Sequence, residues 1–292
     1  MKRTISIVGA GRVGTTLGER LRQLGWSIGA VVTRSRRTSR AAIRAIGAGR
    51  PLAAIGPEIL RADVILVTTP DHAIPSAIQS LAKCSAEEWR GKVVLHTSGA
   101  LDRTVLDPLA RLGASTGSLH PMQTFSGRNI PKFGGVTFAV EGDAVALRVA
   151  KQIARSLGGV PVAIVGADKP LYHATAVLAA GSGFALIEAA AQMLERIGFT
   201  RRRALETLLP LTRQMLDNVE RIGPRAAWTG PLSRGDFAVV AKHMTALRKY
   251  PREFQESYAA LALLAARVLA RDPDAALRKL RRVIEKSKGD HR

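Results

Sequence analysis

Short aliphatic runs alternate with amphipathic stretches through the first half of the chain. Thr4–Val8 is an apolar run closed by glycine and predicts a strand. Val13, Leu17, Leu21 and Leu24 then recur at helical spacing, and Gly25 marks the stop. Further strands are predicted over residues 29–33, 64–68, 93–96, 115–119, 136–140 and 160–165. Such alternation predicts a mainly parallel sheet covered on both faces, an α/β architecture. Beyond Gly166 the periodicity becomes helical almost throughout. Helices are predicted over residues 169–197, 201–221, 237–249, 252–271 and 274–286, with a Gly- and Pro-rich loop between the second and third. The change of period divides the chain into residues 1–166 and an all-helical C-terminal domain, 167–292.

Gly9-Ala10-Gly11-Arg12-Val13-Gly14 has the form G-x-G-x-x-G, and it lies where a predicted strand meets a predicted helix. In that context Gly9 serves a tight turn, Gly11 lets backbone approach a pyrophosphate, and Gly14 lets helix and strand pack closely. The N–H groups and dipole of the helix start then favour a diphosphate. The first domain is therefore expected to be a Rossmann-type dinucleotide-binding domain. At the end of the second strand, Thr33-Arg34-Ser35-Arg36-Arg37 stands where NAD-preferring sites place a carboxylate. Guanidinium groups pair well with phosphate oxygens, so Thr33, Arg34, Ser35 and Arg36 point to NADPH over NADH.

Ligands of such sheets lie beyond the carboxyl ends of the strands. Thr69-Pro70-Asp71-His72, Thr97-Ser98-Gly99-Ala100 and His120-Pro121-Met122-Gln123 should border the nicotinamide half. Thr69, Pro70, Thr97, Ser98 and Gly99 are candidate cofactor contacts, and Asp71 is also placed to cap a helix starting at Ala73. His120 is a candidate proton donor, or a brace for the turn at Pro121. Lys169, Tyr172 and His173 open the long helix after the domain boundary, and each can donate a proton. In the second half, Arg234 is a natural partner for a substrate carboxylate. Asp236 reads as a supporting group or a helix cap, and His243 follows about two turns later.

Composition narrows the function classes. The 292 residues suffice for two domains, and an aromatic content of 4% within a hydrophobic content of 46% predicts an aliphatic core. Cys84 is the one cysteine, which excludes an internal disulfide and a paired-cysteine metal site. No metal site is expected, and a reducing cytoplasm fits. The chain opens Met1-Lys2-Arg3 and passes directly into a strand, without an apolar leader. Residues 171–187 approach the length of a membrane span, but His173 and many small residues predict a helix packed inside the protein, and no membrane partner is expected. The net charge of +21 attracts polyanions. The arginines are scattered and aromatics are few, so specific nucleic-acid binding is not expected.

The chain resembles the bacterial Rossmann-like oxidoreductases that carry a helical C-terminal domain of unassigned function. These are similar to pyrroline-5-carboxylate reductase and, more distantly, to ketopantoate reductase and the 3-hydroxyacid dehydrogenases. The resemblance rests on Gly9 to Gly14, on Ser118-Leu119-His120-Pro121-Met122-Gln123-Thr124-Phe125, on Lys169 with Tyr172-His173, and on Thr229 to Asp236 with His243. It implies NADP-linked reduction of a small substrate and a homodimer built through the helical domain. Where that resemblance leads one to expect a Ser-Asn pair, this chain has Ala180-Gly181. Two readings follow. One is an NADPH-dependent reductase of a small carboxylate-bearing C=O or C=N compound, ketopantoate-like or pyrroline-carboxylate-like. The other is an NADPH-binding redox sensor without catalysis.

Overall fold

Strands whose residues are all apolar are stable only with both faces covered, and this constraint organises the first half of the structure. The computed structural model describes residues 3–84, 88–126 and 131–289. Its strands are β1 (Thr4–Val8), β2 (Ser27–Val32), β3 (Arg50–Leu52), β4 (Val64–Val67), β5 (Val93–His96), β6 (Ser115–Pro121), β7 (Thr137–Gly142) and β8 (Val160–Ala163). They form one sheet of order β3-β2-β1-β4-β5-β6-β7-β8. All neighbours pair in parallel except β6 and β7, which are antiparallel. Every residue of β4 and β5 is buried.

The period of two divides the strand side chains between two cores. Val64 and Leu66 pack with Ile5, Ile7, Leu17, Val149 and Ile153. Ile65 and Val67 pack on the opposite face with Ile78, Leu81, Trp89 and Leu106. The helices α1 (Arg12–Gln23), α2 (Arg36–Ile46) and α5 (Ala144–Ser156) supply the first core, and α3 (Ile74–Ala82) and α4 (Asp107–Ala110) the second. Sheet order reverses at β1, which lies between β2 and β4, and opens a crevice at their carboxyl ends. β3 and β8 form the two edges. Both are short, and each carries a proline, Pro51 and Pro161.

The chain divides into compact units Met1–Gly181 and Ser182–Arg292. The first unit ends with α6 (Lys169–Ala176) and a π-helical turn, Val177–Gly181, which contains Ala180 and Gly181. The second comprises α7 (Ser182–Arg196), α8 (Arg201–Ile222), the short α9 (Pro224–Ala227) and α10 (Pro231–Arg234), and α11 (Phe237–Leu247), α12 (Arg252–Leu269) and α13 (Pro273–Gly289). Val240, Met244, Leu280 and Ile284 interlock with Ala259, Ala262 and Ala266, whose small side chains allow close helix approach.

The expected α/β sheet and the helical second half are both present. Three expectations need correction. The strand β3 escaped notice because its three residues, Arg-Pro-Leu, carry no apolar run. Asp71 does not cap α3: it begins a 3-10 turn, and the helix starts at Ile74 with no side-chain cap. The apolar stretch is not packed inside the single chain. Helix Gly166–Arg196 is long and apolar enough to cross a membrane, and its most apolar 18-residue window has a mean hydropathy of 1.5 and is 6% buried. Leu171, Leu178 and Phe184 are exposed on it. Hydropathy reports that a residue wants cover, not which molecule provides it.

Gly14 is the tightest link between α1 and the sheet. A Cβ there would collide with Thr68 Oγ1 and lie 3.2 Å from both Gly9 O and Ile7 Cγ2. Gly14→Ala should lower stability by about 1–3 kcal/mol through overpacking. A denaturant titration should show a lower midpoint at unchanged slope.

Candidate functional site

The glycine turn is held by the sheet itself. Gly9 N–H donates to Val32 O at 2.8 Å and Gly11 N–H to Gly9 O at 2.6 Å, while Thr68 Oγ1 donates to Gly9 O at 2.8 Å. Gly9 has φ +90°, where a side chain is strained, and its Cβ would also run into Thr69. Gly11 is different: the one neighbour within reach of a Cβ is Gly9 O, at 3.9 Å. Gly11 caps α1 without a side-chain hydrogen bond, and the first turn carries no acid. Ala10 is buried, Arg12 is exposed and Val13 packs against the core. Thr69 Oγ1, at the end of β4, is buried with no hydrogen-bond partner. An open backbone cradle, uncapped N–H groups and an orphaned hydroxyl beside them suit a diphosphate-bearing ligand.

At the end of β2, Arg34, Arg36 and Arg37 are exposed. Among the described residues none of them forms a salt bridge. Ser35 is the N-cap of α2 and accepts from Thr38 N–H at 3.2 Å, while Thr33 Oγ1 donates to Ser35 O at 3.0 Å. Thr33 and Ser35 therefore shape the turn, and the arginines are left to meet an anion.

Beyond β5 and β6 the topology gathers residues from four separate segments. Lys169 is fully buried at the start of α6, and its Nζ donates to Ser98 O at 3.0 Å and Ser118 Oγ at 2.8 Å. Glu141, the ladder partner of Ser118, stands 3.9 Å from the same Nζ and accepts from Arg103 N–H at 3.1 Å. Burial lowers the Lys169 ammonium to about 8, against the opposing pull of Glu141, Asp102 and Asp71. Lys169 Nζ thereby ties the loop after β5 to β6 and β7. Ser98 is likewise turned inward, its Oγ accepting from Ala100 and Leu101 N–H. Thr97 N–H donates to Val67 O, and Pro70 is exposed.

One helical turn after Lys169, Tyr172 and His173 meet His120. Tyr172 Oη lies 3.1 Å from His120 Nδ1, and the His173 ring packs edge-on to His120 with centroids 5.8 Å apart. His173 Nδ1 is buried without a partner. Gly99 makes the room: a Cβ there would lie 2.7 Å from His173 Nδ1 and 2.8 Å from His120 Nε2. Burial, then His173 and Lys169, lower His120 to about 4, so its ring is neutral at pH 7. Burial raises the Tyr172 hydroxyl to about 12.

The other three candidates lie in the second unit. Asp236 accepts from Val239 N–H at 3.3 Å, the capping role, and His243 Nδ1 is 2.8 Å from Tyr258 Oη on α12. Arg234 is exposed at the end of α10. Sequence reasoning missed His96 and Glu141. His96 is wholly buried at the end of β5, its Nδ1 accepting from Ser98 N–H and its Nε2 donating to Asp102 O at 3.1 Å. A histidine closing an otherwise aliphatic strand was the available signal.

No curated protein matches the chain by sequence. Residues 1–121 match the family described as Rossmann-like domain, and residues 136–265 the family described as Domain of unknown function (DUF2520). Each match covers less than half of the chain. Among solved structures it is similar to BF3122 of Bacteroides fragilis, whose description as an NADP oxidoreductase is provisional. The TM-score is 0.73 at 23% identity, over 89% of this chain and 96% of that one. A reductive aminase from Aspergillus terreus, in complex with NADPH and ethyl-5-oxohexanoate, gives 0.68 at 19% identity over 91% and 94%. The 1-pyrroline-5-carboxylate reductase of Streptococcus pyogenes gives 0.59 at 13% identity over 98% of both chains. At these identities the likeness is one of fold.

Burial holds His96 neutral in the folded state, lowering it from 6.5 to about 3. Between those values the unfolded chain binds more protons, so stability falls as pH drops through the window, by about 1.4 kcal/mol per pH unit for this ring. Denaturant titrations at pH 6.5 and about pH 5 should register the loss, and His96→Asn should flatten the slope.

Proposed function

We propose that the chain is an NADPH-dependent oxidoreductase that reduces a small carboxylate-bearing substrate at a C=O or C=N bond. The observation that carries this reading is the cradle of Gly9, Gly11 and Gly14 beneath the uncapped start of α1, with Thr69 Oγ1 orphaned beside it. Arg34 and Arg36 are placed to hold a 2′-phosphate, and no carboxylate follows β2 to repel one. Bound dinucleotide supplies hydride; the protein supplies orientation, a proton and a shaped surround. His120 is the proposed proton donor and Lys169 its brace. Ketopantoate-like and pyrroline-carboxylate-like compounds both fit that description. The lone Cys84 accords with a cytoplasmic location.

We further propose a homodimer through the helical region. α7 and α8 bury one residue each, Ala191 and Ala204, and leave Phe184, Leu186, Leu211 and Leu216 exposed. Apolar patches of this kind mark interfaces.

Nucleotide binding, turnover and molecular mass test these readings. NADPH at a hundredfold excess over its Kd should stabilise the protein by about 2.7 kcal/mol. Arg34→Ala should weaken NADPH binding about tenfold and leave NADH binding unchanged, since one charge-assisted contact is worth about 1.5 kcal/mol. Equal affinity for the two nucleotides in the unaltered protein would remove the 2′-phosphate assignment. NADPH binding with no turnover on any 2-oxo acid or imine would favour the sensor. Light scattering should give the mass of two chains, falling to one in Leu211→Asp.

A further inference from the structure

Three residues flank the His120 imidazole: Gly99 from the loop after β5, and Tyr172 and His173 from α6. The ring has two different nitrogens. Nδ1 faces the Tyr172 hydroxyl, while Nε2 has no hydrogen bond among the described residues and points to the side where His173 Nδ1 also lacks one. The distances from the Gly99 Cβ position, 2.7 and 2.8 Å, cap the separation of these two nitrogens at 5.5 Å. The edge thus presents two polar atoms in want of a partner.

Among the described residues of the first unit, no carboxylate forms a hydrogen bond or ion pair with His120 or His173. The groups that act on His120 through space are His173 and Lys169. The Lys169 charge is matched by Glu141, which is itself tied to Arg103 N–H; Asp102 is occupied by Thr104, and Asp71 is exposed. A protonated imine is a cation that loses its charge on accepting hydride, and it needs an anion or acceptor to hold it. A carbonyl gains negative charge on oxygen and needs a donor. A neutral imidazole backed by a phenol and a buried ammonium suits the second.

We propose, building on the reductase reading, that the bond reduced is a carbonyl, whose oxygen takes its proton from Nε2 of His120, with Tyr172 fixing that ring's tautomer and replacing the proton. Hydride from the reduced nicotinamide dinucleotide adds to the carbonyl carbon, and the C=O π pair moves onto oxygen. That oxygen takes the Nε2 proton as Nδ1 takes the Tyr172 hydroxyl proton; a proton from solvent then returns to Nε2 while Nδ1 hands its proton back to the phenolate, which restores both the Nε2–H tautomer and the phenol. The products are an alcohol and the oxidised dinucleotide, with one proton drawn from solvent. His120 is the catalytic residue and Tyr172 the positioning residue, because it acts through the ring. A ring held neutral and a phenol held protonated at pH 7 agree with these roles.

Nitrogen-15 NMR of the imidazoles tests the assignment without turnover. In the full-length protein at pH 7, His120 should be the Nε2–H tautomer, and Tyr172→Phe should convert it to a mixture. Added oxamate, with the oxidised dinucleotide present, should shift the His120 and His173 signals. In turnover assays pyruvate or ketopantoate should oxidise NADPH, and 1-pyrroline-2-carboxylate should not. Tyr172→Phe and His120→Gln should each lower kcat by about 10²-fold with little change in KM. Gly99→Ala, which drives a methyl group between the two imidazoles, should abolish the oxamate shift; a thermal melt shows whether it folds, and His173→Leu provides a second variant that should lose the same response. An Nδ1–H tautomer in the unaltered protein, an absent oxamate shift, or imine reduction outpacing carbonyl reduction overturns the carbonyl assignment and leaves the reductase reading in place. Failure to bind NADPH overturns both.

Discussion

A single ammonium group organises the chemistry of the first unit. Lys169 Nζ, buried at the head of α6, joins Ser98 O beyond β5 to Ser118 Oγ within β6, and it leans on Glu141 of β7. Three neighbouring strands and one helix are thereby pinned at the sheet end where the crevice opens. A buried cation is costly unless its donors are satisfied, so the tie holds only while all of these elements are in place. Tyr172 and His173 follow one turn later and inherit their position from it.

The same constraint explains the electrostatic character of the cluster. Packing around Lys169 excludes water from His96 and His120, and both rings are driven neutral. His96 spends both nitrogens on backbone groups of the loop that carries Ser98 and Gly99. His120 spends one nitrogen on Tyr172 and keeps the other. Two histidines at adjacent strand ends thus have different roles because one is sealed and the other is half open.

Much of the fold was legible along the chain because it depends on local periodicity. The aliphatic runs of β1, β4 and β5, the spacing of Val13, Leu17 and Leu21, and the glycine turn between them each declare themselves within a short window. Strand ends differ by one or two residues, as fraying and pairing geometry dictate. The candidate site was legible as residue types but not as arrangement. Lys169 lies 71 residues from Ser98 and 51 from Ser118, and nothing local tells a capping lysine from one that reaches into the sheet. Glu141 has no motif around it and acquires meaning through the antiparallel register with Ser118. Helix α6 and its continuation read as core because apolar periodicity carries no address, and the single chain leaves that face open.

The proline at the middle of β8 has its own consequence. Val160 and Ile164 turn their N–H groups toward β7, so Pro161, between them in the alternation, directs its nitrogen to the open side of the sheet. There a visiting strand would find no donor and would meet the ring instead. β3 at the opposite margin is three residues long and centred on Pro51. A sheet blunted in this way resists growing into a continuous ribbon across molecules. A protein with so much uncovered apolar surface on its helices can then associate through side chains while its backbone ladder stays closed to strangers.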